Sequence, residues 1–375
     1  MEIVLATNGL IGIGGSETYL LTVAEQLQRL GHEVTVHAAE GGAMSALMES
    51  RGVRVAIGEG ALPEGCDVAL VQDAGMAYAL ADRWPQTPQV FRAPSSLYDF
   101  QSPPQLPGIV AAVVVCSDRM ARHVDALAGE REIVRLRQPI DIKRMCPRGE
   151  IRSRPLRALL LGNYVSGRRR ELIEAAWGEA GVEVITVGAH GTPAPDPAGE
   201  IAAADIVAGK ARAILDAMAC GRAAYVLDVA GGDGWVTEER YAAMEADNFA
   251  GHTSDWSLDQ LAGDLAGYDP AMGQVNRDLV LAHHDAADHA QALVALFRRL
   301  SPRAEPATGP LREMARLVRL QWASDQDVIA LRQALVEERA RAVIAEEYAA
   351  ALVEERERLD AEVARLTEPR RWRAR

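Results

Sequence analysis

Short apolar runs alternate with segments of helical periodicity along this chain, and the alternation runs through twice. In the first series the apolar runs fall at residues 3–6, 33–37, 53–57, 68–71, 89–91 and 110–116. Between the first two, residues 17–30 carry Leu20, Leu21, Ala24, Leu27 and Leu30 on one helical face. A strand followed by a helix and then a strand returns in the same direction, because the helix carries the chain back across the sheet. The product is a parallel sheet covered on both faces. Around residues 139–155 the pattern gives way to a Pro-, Arg- and Gly-rich hinge. A second series follows, with runs at 158–161, 182–187, 206–207 and 224–227, helices at 169–179 and after Lys210, and a closing helix at 282–300. At 375 residues the chain exceeds what one hydrophobic core usually supports. The expected architecture is therefore α/β, with two doubly wound domains at 1–148 and 149–300 and a cleft between them. In such sheets ligands sit outside the carboxyl ends of the strands.

Residues 301–310 (Ser-Pro-Arg-Ala-Glu-Pro-Ala-Thr-Gly-Pro) read as a linker, and residues 311–375 as a long helical tail. Within it Val328, Leu331, Leu335, Glu338, Ala342, Ala345, Ala349, Leu352, Arg356, Leu359, Val363 and Leu366 keep alternating spacings of three and four. Ten of these twelve are apolar, which makes a coiled-coil seam and implies a homo-oligomer formed through residues 328–366. A single amphipathic helix lying back on the chain's own surface is the competing arrangement. The tip, Arg370-Arg-Trp-Arg-Ala-Arg375, suits peripheral contact with an anionic membrane surface, or else a solvated tail.

A net charge of −13 argues against a general nucleic-acid binder, since phosphate contacts need a basic surface. Cys66, Cys116, Cys146 and Cys220 are scattered without a CxxC pair, and Cys116 and Cys220 read as small buried hydrophobes. Neither a disulfide framework nor structural zinc is expected, and a reducing compartment fits. Residues 1–7 carry no basic leader, and no apolar run is long enough to span a bilayer. The expected location is cytoplasmic, with peripheral attachment to the inner face of the membrane through residues 370–375.

Residues 204–221 carry the most chemistry. An apolar strand runs into Gly209-Lys210-Ala211 and then into a helix closed by Gly221. Only two of the chain's forty basic residues are lysines, and Lys210 stands at the helix start. Backbone amides and the positive end of the helix dipole make such a start an anion site. Asp216, one or two turns on, offers a carboxylate to hydroxyls. A phosphate beside a sugar hydroxyl describes a nucleotide. In the same domain residues 162–170 (Gly-Asn-Tyr-Val-Ser-Gly-Arg-Arg-Arg) bring Arg168 and Arg169 to another helix start. With Lys210 and Arg212, cations from two adjacent strand ends converge on one diphosphate. In the first domain Gly14 and Gly15 allow a ligand close to the backbone, and Ser16 is placed as a helix N-cap. A dinucleotide fingerprint would need a third glycine at position 17, where Glu17 stands. Glu40 after the second strand leaves a nicotinamide site weakened rather than excluded.

These pieces carry a resemblance. Gly-Gly-Ser-Glu-Thr-Tyr (14–19), Leu-Gly-His-Glu-Val-Thr-Val (30–36), Val-Cys-Ser-Asp (115–118), Gln-Pro-Ile-Asp (138–141) and Asp-Ala-Met-Ala-Cys-Gly (216–221) are its parts. The last, following Ala-Asp-Ile-Val (204–207), is the most specific. Residues 1–300 resemble retaining, nucleotide-sugar-dependent glycosyltransferases of the GT-B fold, the family 4-like group. The resemblance implies two Rossmann-like domains, here followed by the long C-terminal helix. It implies a nucleoside-diphosphate sugar held mostly by the C-terminal domain and a glycan or lipid-linked acceptor held by the N-terminal one, as in cell-surface polysaccharide synthesis. It also implies that Gly15 approaches the diphosphate, that Arg168 stands where a phosphate-binding lysine usually does, and that Asp216 replaces a ribose-binding glutamate. Catalysis is then assigned to Arg168, Lys210 and Arg92, and donor binding to Gly14, Gly15, Arg169, Gly209, Arg212 and Asp216.

The chain departs from that pattern in several places. Ala208 stands where the first of two acids eight residues apart belongs, and Asn163 replaces an arginine. Residues 90–99 (Val-Phe-Arg-Ala-Pro-Ser-Ser-Leu-Tyr-Asp) lack the usual histidine, leaving Arg92, Ser95, Ser96 and Asp99 as the polar groups of the acceptor wall. A departing diphosphate needs oriented cations and amides. Arg168, Lys210 and the helix amides supply these without a metal or other cofactor. Asp325-Gln-Asp327 lies at the coiled-coil boundary, and helical spacing scatters His283, His284, Asp285, Asp288 and His289 over different faces, so no metal site is expected. Two other functions stay open. One is a non-catalytic nucleotide-sugar-binding scaffold, motivated by the missing histidine and first acid; the other is a sugar-nucleotide epimerase of the same fold, which needs no acceptor.

Overall fold

The computed structural model describes residues 1–163, 165, 167–188, 191–192, 194, 196–228, 231–251, 258–303 and 309–367. Residues 1–318 form one compact unit and residues 319–375 a second.

The chain opens with β1 (Glu2–Leu10), α1 (Gly15–Arg29), β2 (Glu33–Gly41), α2 (Ala43–Ser50), β3 (Arg54–Ile57), β4 (Val68–Val71) and α3 (Ala74–Arg83). It continues with β5 (Gln89–Arg92), β6 (Ala112–Val115), α4 (Asp118–Ala128) and β7 (Glu132–Arg135). The seven strands form one parallel sheet in the order β3-β2-β1-β4-β5-β6-β7. Successive side chains of a strand point to opposite faces. Ile3 and Leu5 accordingly pack with Leu20, Leu21 and Leu27 of α1, while Val4 and Ala6 pack with Met76 and Leu80 of α3 on the other side. Covered on both faces, β4, β5 and β6 are buried along their whole length.

β1 outruns its apolar stretch because β2 keeps pairing with it through Gly9↔Glu40 and Leu10↔Gly41. Glu40 therefore lies inside β2, and the glycine loop shrinks to residues 11–14. Helix α1 consequently starts at Gly15 with Gly14, not Ser16, at its N-cap, and no side chain caps it.

The second domain comprises β8 (Arg157–Leu161), α5 (Gly167–Glu179), β9 (Glu183–Val187), α6 (Ala198–Ala203), β10 (Ile206–Gly209) and α7 (Arg212–Ala219), followed by β11 (Ala223–Asp228) and β12 (Gly231–Trp235). Its sheet is ordered β12-β11-β10-β8-β9. β12 runs antiparallel to β11 and was not legible in the sequence. Its five residues include three glycines, which have low strand propensity. Helices α8 (Glu238–Ala246), α9 (Leu258–Leu265), α10 (Ala271–His283) and α11 (Ala286–Arg299) complete the domain.

The expected closing helix at 282–300 is two helices. The Asp285 carboxylate accepts from Ala287 N–H at 2.8 Å and caps α11, so α10 ends before it. The backbone there pairs with the hinge, Ile140 N–H donating to His284 O and Ala286 N–H to Ile140 O. Leu293, Leu296 and Phe297 of α11 then join the core beneath α1. A helix that the boundary at 300 counts with the second domain thus rests its apolar face on the first.

α12 (Leu311–Thr367) begins where the tail was expected. Leu311 and Ala315 are buried, and with Met314 and Val318 they pack on the Val4 and Ala6 face of the first sheet. Residues 368–375, and with them the basic tip, lie outside the described residues. No helix among the described residues is long and apolar enough to cross a membrane. All four cysteines are free, and Cys116 and Cys220 are buried as expected.

Candidate functional site

β8 and β10 are neighbours, with Leu161 paired to Gly209, so the turns entering α5 and α7 sit side by side. The two strand ends are adjacent, as expected of them in the sequence. α5 starts at Gly167, which puts Arg168 and Arg169 in its first turn; their side chains lie outside those described. Gly209 is buried at the end of β10, where a Cβ would lie 2.5 Å from the Leu161 carbonyl oxygen. Strand packing therefore accounts for this glycine without a ligand.

After Gly209 comes half-buried Lys210, and then Ala211 at φ 49° and ψ −121°, a backbone region that suits glycine. Ala211 N–H donates to Phe249 O at 3.0 Å, and Asn248 and Phe249 themselves have φ of 58° and 51°. Three non-glycine residues in left-handed conformations meet at the entry to α7. Such strain persists where surrounding structure enforces it, and it clusters at functional sites. No side chain caps α7. Ala213 and Ile214 N–H donate to the Lys210 and Ala211 carbonyls. Those two amides are taken up internally, so an anion here meets the lysine and the helix dipole rather than them.

Arg212, expected to face the donor, instead reaches across to the first domain. Its Nη2 donates to Thr22 Oγ1 at 3.1 Å and its Nη1 to Pro139 O at 3.2 Å. Its Nε lies 3.5 Å from Oδ2 of Asp216. Burial pushes the Arg212 pKa down, and Asp216 opposes that shift while Arg144, Arg51 and Arg92 add to it. Burial pushes the Asp216 carboxyl up, against Arg212 and Arg144. Asp216 Oδ1 is buried with no hydrogen-bond partner among the described residues. It is the acceptor atom left over once Arg212 is counted.

On the first domain a Cβ at Gly15 would meet nothing within 4 Å, so the α1 start faces open space. A Cβ at Gly14 would run into the Glu17 carboxylate. Burial raises the Glu17 pKa, partly offset by backbone and Ser16 hydrogen bonds and by the Arg92 charge. Thr22 is seven residues beyond Gly15, so the α1 start stands roughly 10 Å along the helix from the Arg212 contact.

Arg92 ends β5 and is 4% exposed. Its Nη2 donates to Gln138 Oε1 at 3.2 Å, and its guanidinium sits 4.3 Å from the centre of the Tyr19 ring. Its Nη1 is buried without a partner among the described residues, as is Oε1 of Gln72 at the end of the neighbouring β4. Of the other polar groups on that wall, Ser95 and Ser96 are half-buried and Asp99 is exposed.

Of the three histidines between residues 283 and 289, His284 and His289 are buried and tied into hydrogen bonds. His284 Nδ1 donates to Gln138 O at 2.8 Å and His289 Nδ1 to Arg137 O at 2.9 Å. Carbonyl oxygens only accept, so Nδ1 carries the proton in both rings and Nε2 accepts. The donors to Nε2 are the hydroxyls of Tyr241 at 2.8 Å and Tyr19 at 2.9 Å. Burial depresses the two imidazoles to about 4 and about 3. Asp325 and Asp327 lie inside α12.

No protein-family model matches the chain, and no curated protein matches it. Solved structures do. Anabaena HepE in complex with UDP and glucose is similar at 14% identity and a TM-score of 0.59, over 80% of this chain and 100% of its own. An α-glucosyltransferase in complex with UDP and a 13-mer DNA containing an HMU base is similar at 11% identity and a TM-score of 0.52, again over 80% and 100%. The lipopolysaccharide outer core galactosyltransferase WaaB in its apo form is similar at 12% identity and 0.51, over 80% and 100%. The chain has the GT-B fold.

Within this GT-B fold Thr22, Tyr19, Gln138 and His289 hold the two domains together, and sequence reasoning singled out none of them for that role. Gln138 lay inside a quoted motif and Tyr19 on the buried face of α1, but nothing local links residue 19 to residue 289. The crevice at the carboxyl ends of the second sheet, between Leu161, Gly162, Val165, Thr186 and Gly209, holds about 10 Å³. A cavity of about 320 Å³ opens at the amino ends of β1 and β2, beside Glu2, His32, Glu33 and Cys66, away from the loops that carry the assigned residues.

Proposed function

We propose that the chain is a glycosyltransferase that moves a sugar from a nucleoside-diphosphate sugar to a glycan or lipid-linked acceptor in cell-surface polysaccharide synthesis. The observation that carries this is the entry to α7, where Lys210 precedes a strained Ala211 at an uncapped helix start, next to the first turn of α5 with Arg168 and Arg169. The likeness to HepE, whose structure holds UDP and glucose, supports a sugar nucleotide as ligand. In the reaction the bond from the anomeric carbon to the diphosphate oxygen breaks while a bond to the acceptor hydroxyl oxygen forms, and the hydroxyl proton passes to the departing diphosphate. Negative charge builds on the leaving diphosphate, and Lys210, Arg168 and Arg169 meet it without a metal. The free oxygen of Asp216 takes a ribose hydroxyl, Gly14 and Gly15 leave room beside α1, and Arg92 serves the acceptor side. Retention of configuration rests on the sequence resemblance. Work in the cytoplasm, with residues 370–375 touching the inner membrane surface, completes the proposal.

Two observations favour a second function, a binder without catalysis: Arg212 is already occupied by Thr22 and Pro139, and Ala208 leaves no first acid at the strand end. Incubation with a panel of sugar nucleotides, with and without acceptors, separates the two. Sugar transfer with release of nucleoside diphosphate supports the transferase. Donor bound but never turned over removes it in favour of the binder. Conversion of the donor alone to its epimer removes it in favour of an epimerase.

A further inference from the structure

Residues 319–367 continue α12 as one helix, and along it Val328, Leu331, Leu335, Leu352 and Leu359 are each at least 41% exposed. They belong to the seam of three-four spacing, whose two charged positions are Glu338 and Arg356, both exposed. We propose that this helix pairs antiparallel with the same helix of a second copy of the chain, about a two-fold axis midway between residues 338 and 356.

Charge fixes the direction. In a parallel, in-register pair Glu338 would face the partner's Glu338, and Arg356 the partner's Arg356, putting like charges in two seam layers. Reversing one helix puts Glu338 opposite the partner's Arg356 at both ends, and every other seam position still meets a seam position because the spacing is symmetric about that axis. The flanks agree. Residues 329–343 hold three arginines against two glutamates, whereas the residues they face about that axis, 351–365, hold five acids against three arginines. A parallel pair lays acidic half on acidic half; the antiparallel pair lays it against the half with a basic excess.

Side-chain size points the same way. In a parallel pair Ala342, Ala345 and Ala349 would each face themselves, leaving three thin consecutive layers. The antiparallel pair sets Ala342 against the partner's Leu352 in two layers, where small faces large, and keeps Ala345 against the partner's Ala349 only in the two layers beside the axis. This inference is independent of the sugar-nucleotide proposal.

Sedimentation equilibrium of the full chain tests it, with circular dichroism confirming that each variant folds. The wild type sediments as a dimer. Glu338→Arg and Arg356→Glu each bring like charges together across the antiparallel seam and weaken dimerisation roughly tenfold. The double variant, which restores opposite charges in reversed order, dimerises as the wild type does. In a parallel pair every one of these variants keeps like charges in both layers, so none changes the affinity. A monomeric wild type, single variants as tight as wild type, or a double variant that fails to recover each overturns the proposal.

Discussion

The Tyr19 hydroxyl donates to Nε2 of His289 at 2.9 Å across 270 residues of sequence, and it seats α11 on the first domain. Tyr19→Phe keeps the ring beneath Arg92 and removes only the donor, leaving a buried imidazole nitrogen unpaired at a cost of about 1–3 kcal/mol. The urea midpoint should fall with the slope unchanged. A midpoint equal to wild type would show that the bond carries no stability.

Acid should loosen the same region. His284 and His289 stay neutral in the folded chain down to about 4 and about 3 but bind a proton near 6.5 when unfolded. Their contribution is fully present above about pH 6.5 and is lost as pH falls toward those folded values, by about 1.4 kcal/mol per pH unit for each. Glu17 and Asp216, raised by burial, act with the opposite sign. The histidine effect is therefore read as a difference between wild type and His289→Asn in urea midpoints from pH 7.5 to 5. The wild type should lose more on acidification. Parallel pH profiles would contradict the assignment.

Arg212 and Asp216 should behave as one unit. Removing either partner strands the other charge in a buried setting, which costs about 3–5 kcal/mol. The double variant Arg212→Ala, Asp216→Ala should then be destabilised by clearly less than the two single effects combined. Simple additivity in a double-mutant cycle would mean that the pair is not coupled.

The conformation of Ala211 makes a separate prediction. Glycine adopts φ 49°, ψ −121° without a Cβ penalty. Ala211→Gly should raise the thermal midpoint, corresponding to about 1 kcal/mol. A fall would show that the turn is not strained.

Much of this fold is written in local periodicity. Apolar runs and helical faces mark most strands of both sheets and the start of α12 at Leu311. The β10–α7 turn is legible for the same reason, since Gly209, Lys210 and Gly221 punctuate a contiguous stretch. Features that depend on distant partners are not. The pairing that lengthens β1 comes from β2 and moves the cap of α1 from Ser16 to Gly14. Arg212 looks like an anion contact in sequence because Thr22, 190 residues away, leaves no local trace of its claim on that side chain. The partners of His284, His289 and Asp285 (carbonyls, hydroxyls and a helix start) are equally illegible in sequence, which says only that these side chains fall on different helical faces. β12 is a strand only because β11 offers it an edge.

The proposed function puts the diphosphate of a nucleotide at the entry to α7. Isothermal titration of the full chain with a panel of nucleoside diphosphates tests it most directly, with Lys210→Ala beside the wild type. Saturable binding at one site per chain is expected, weakened about tenfold or more in a variant that keeps its fold. No binding to wild type, or equal affinity in Lys210→Ala, would contradict it.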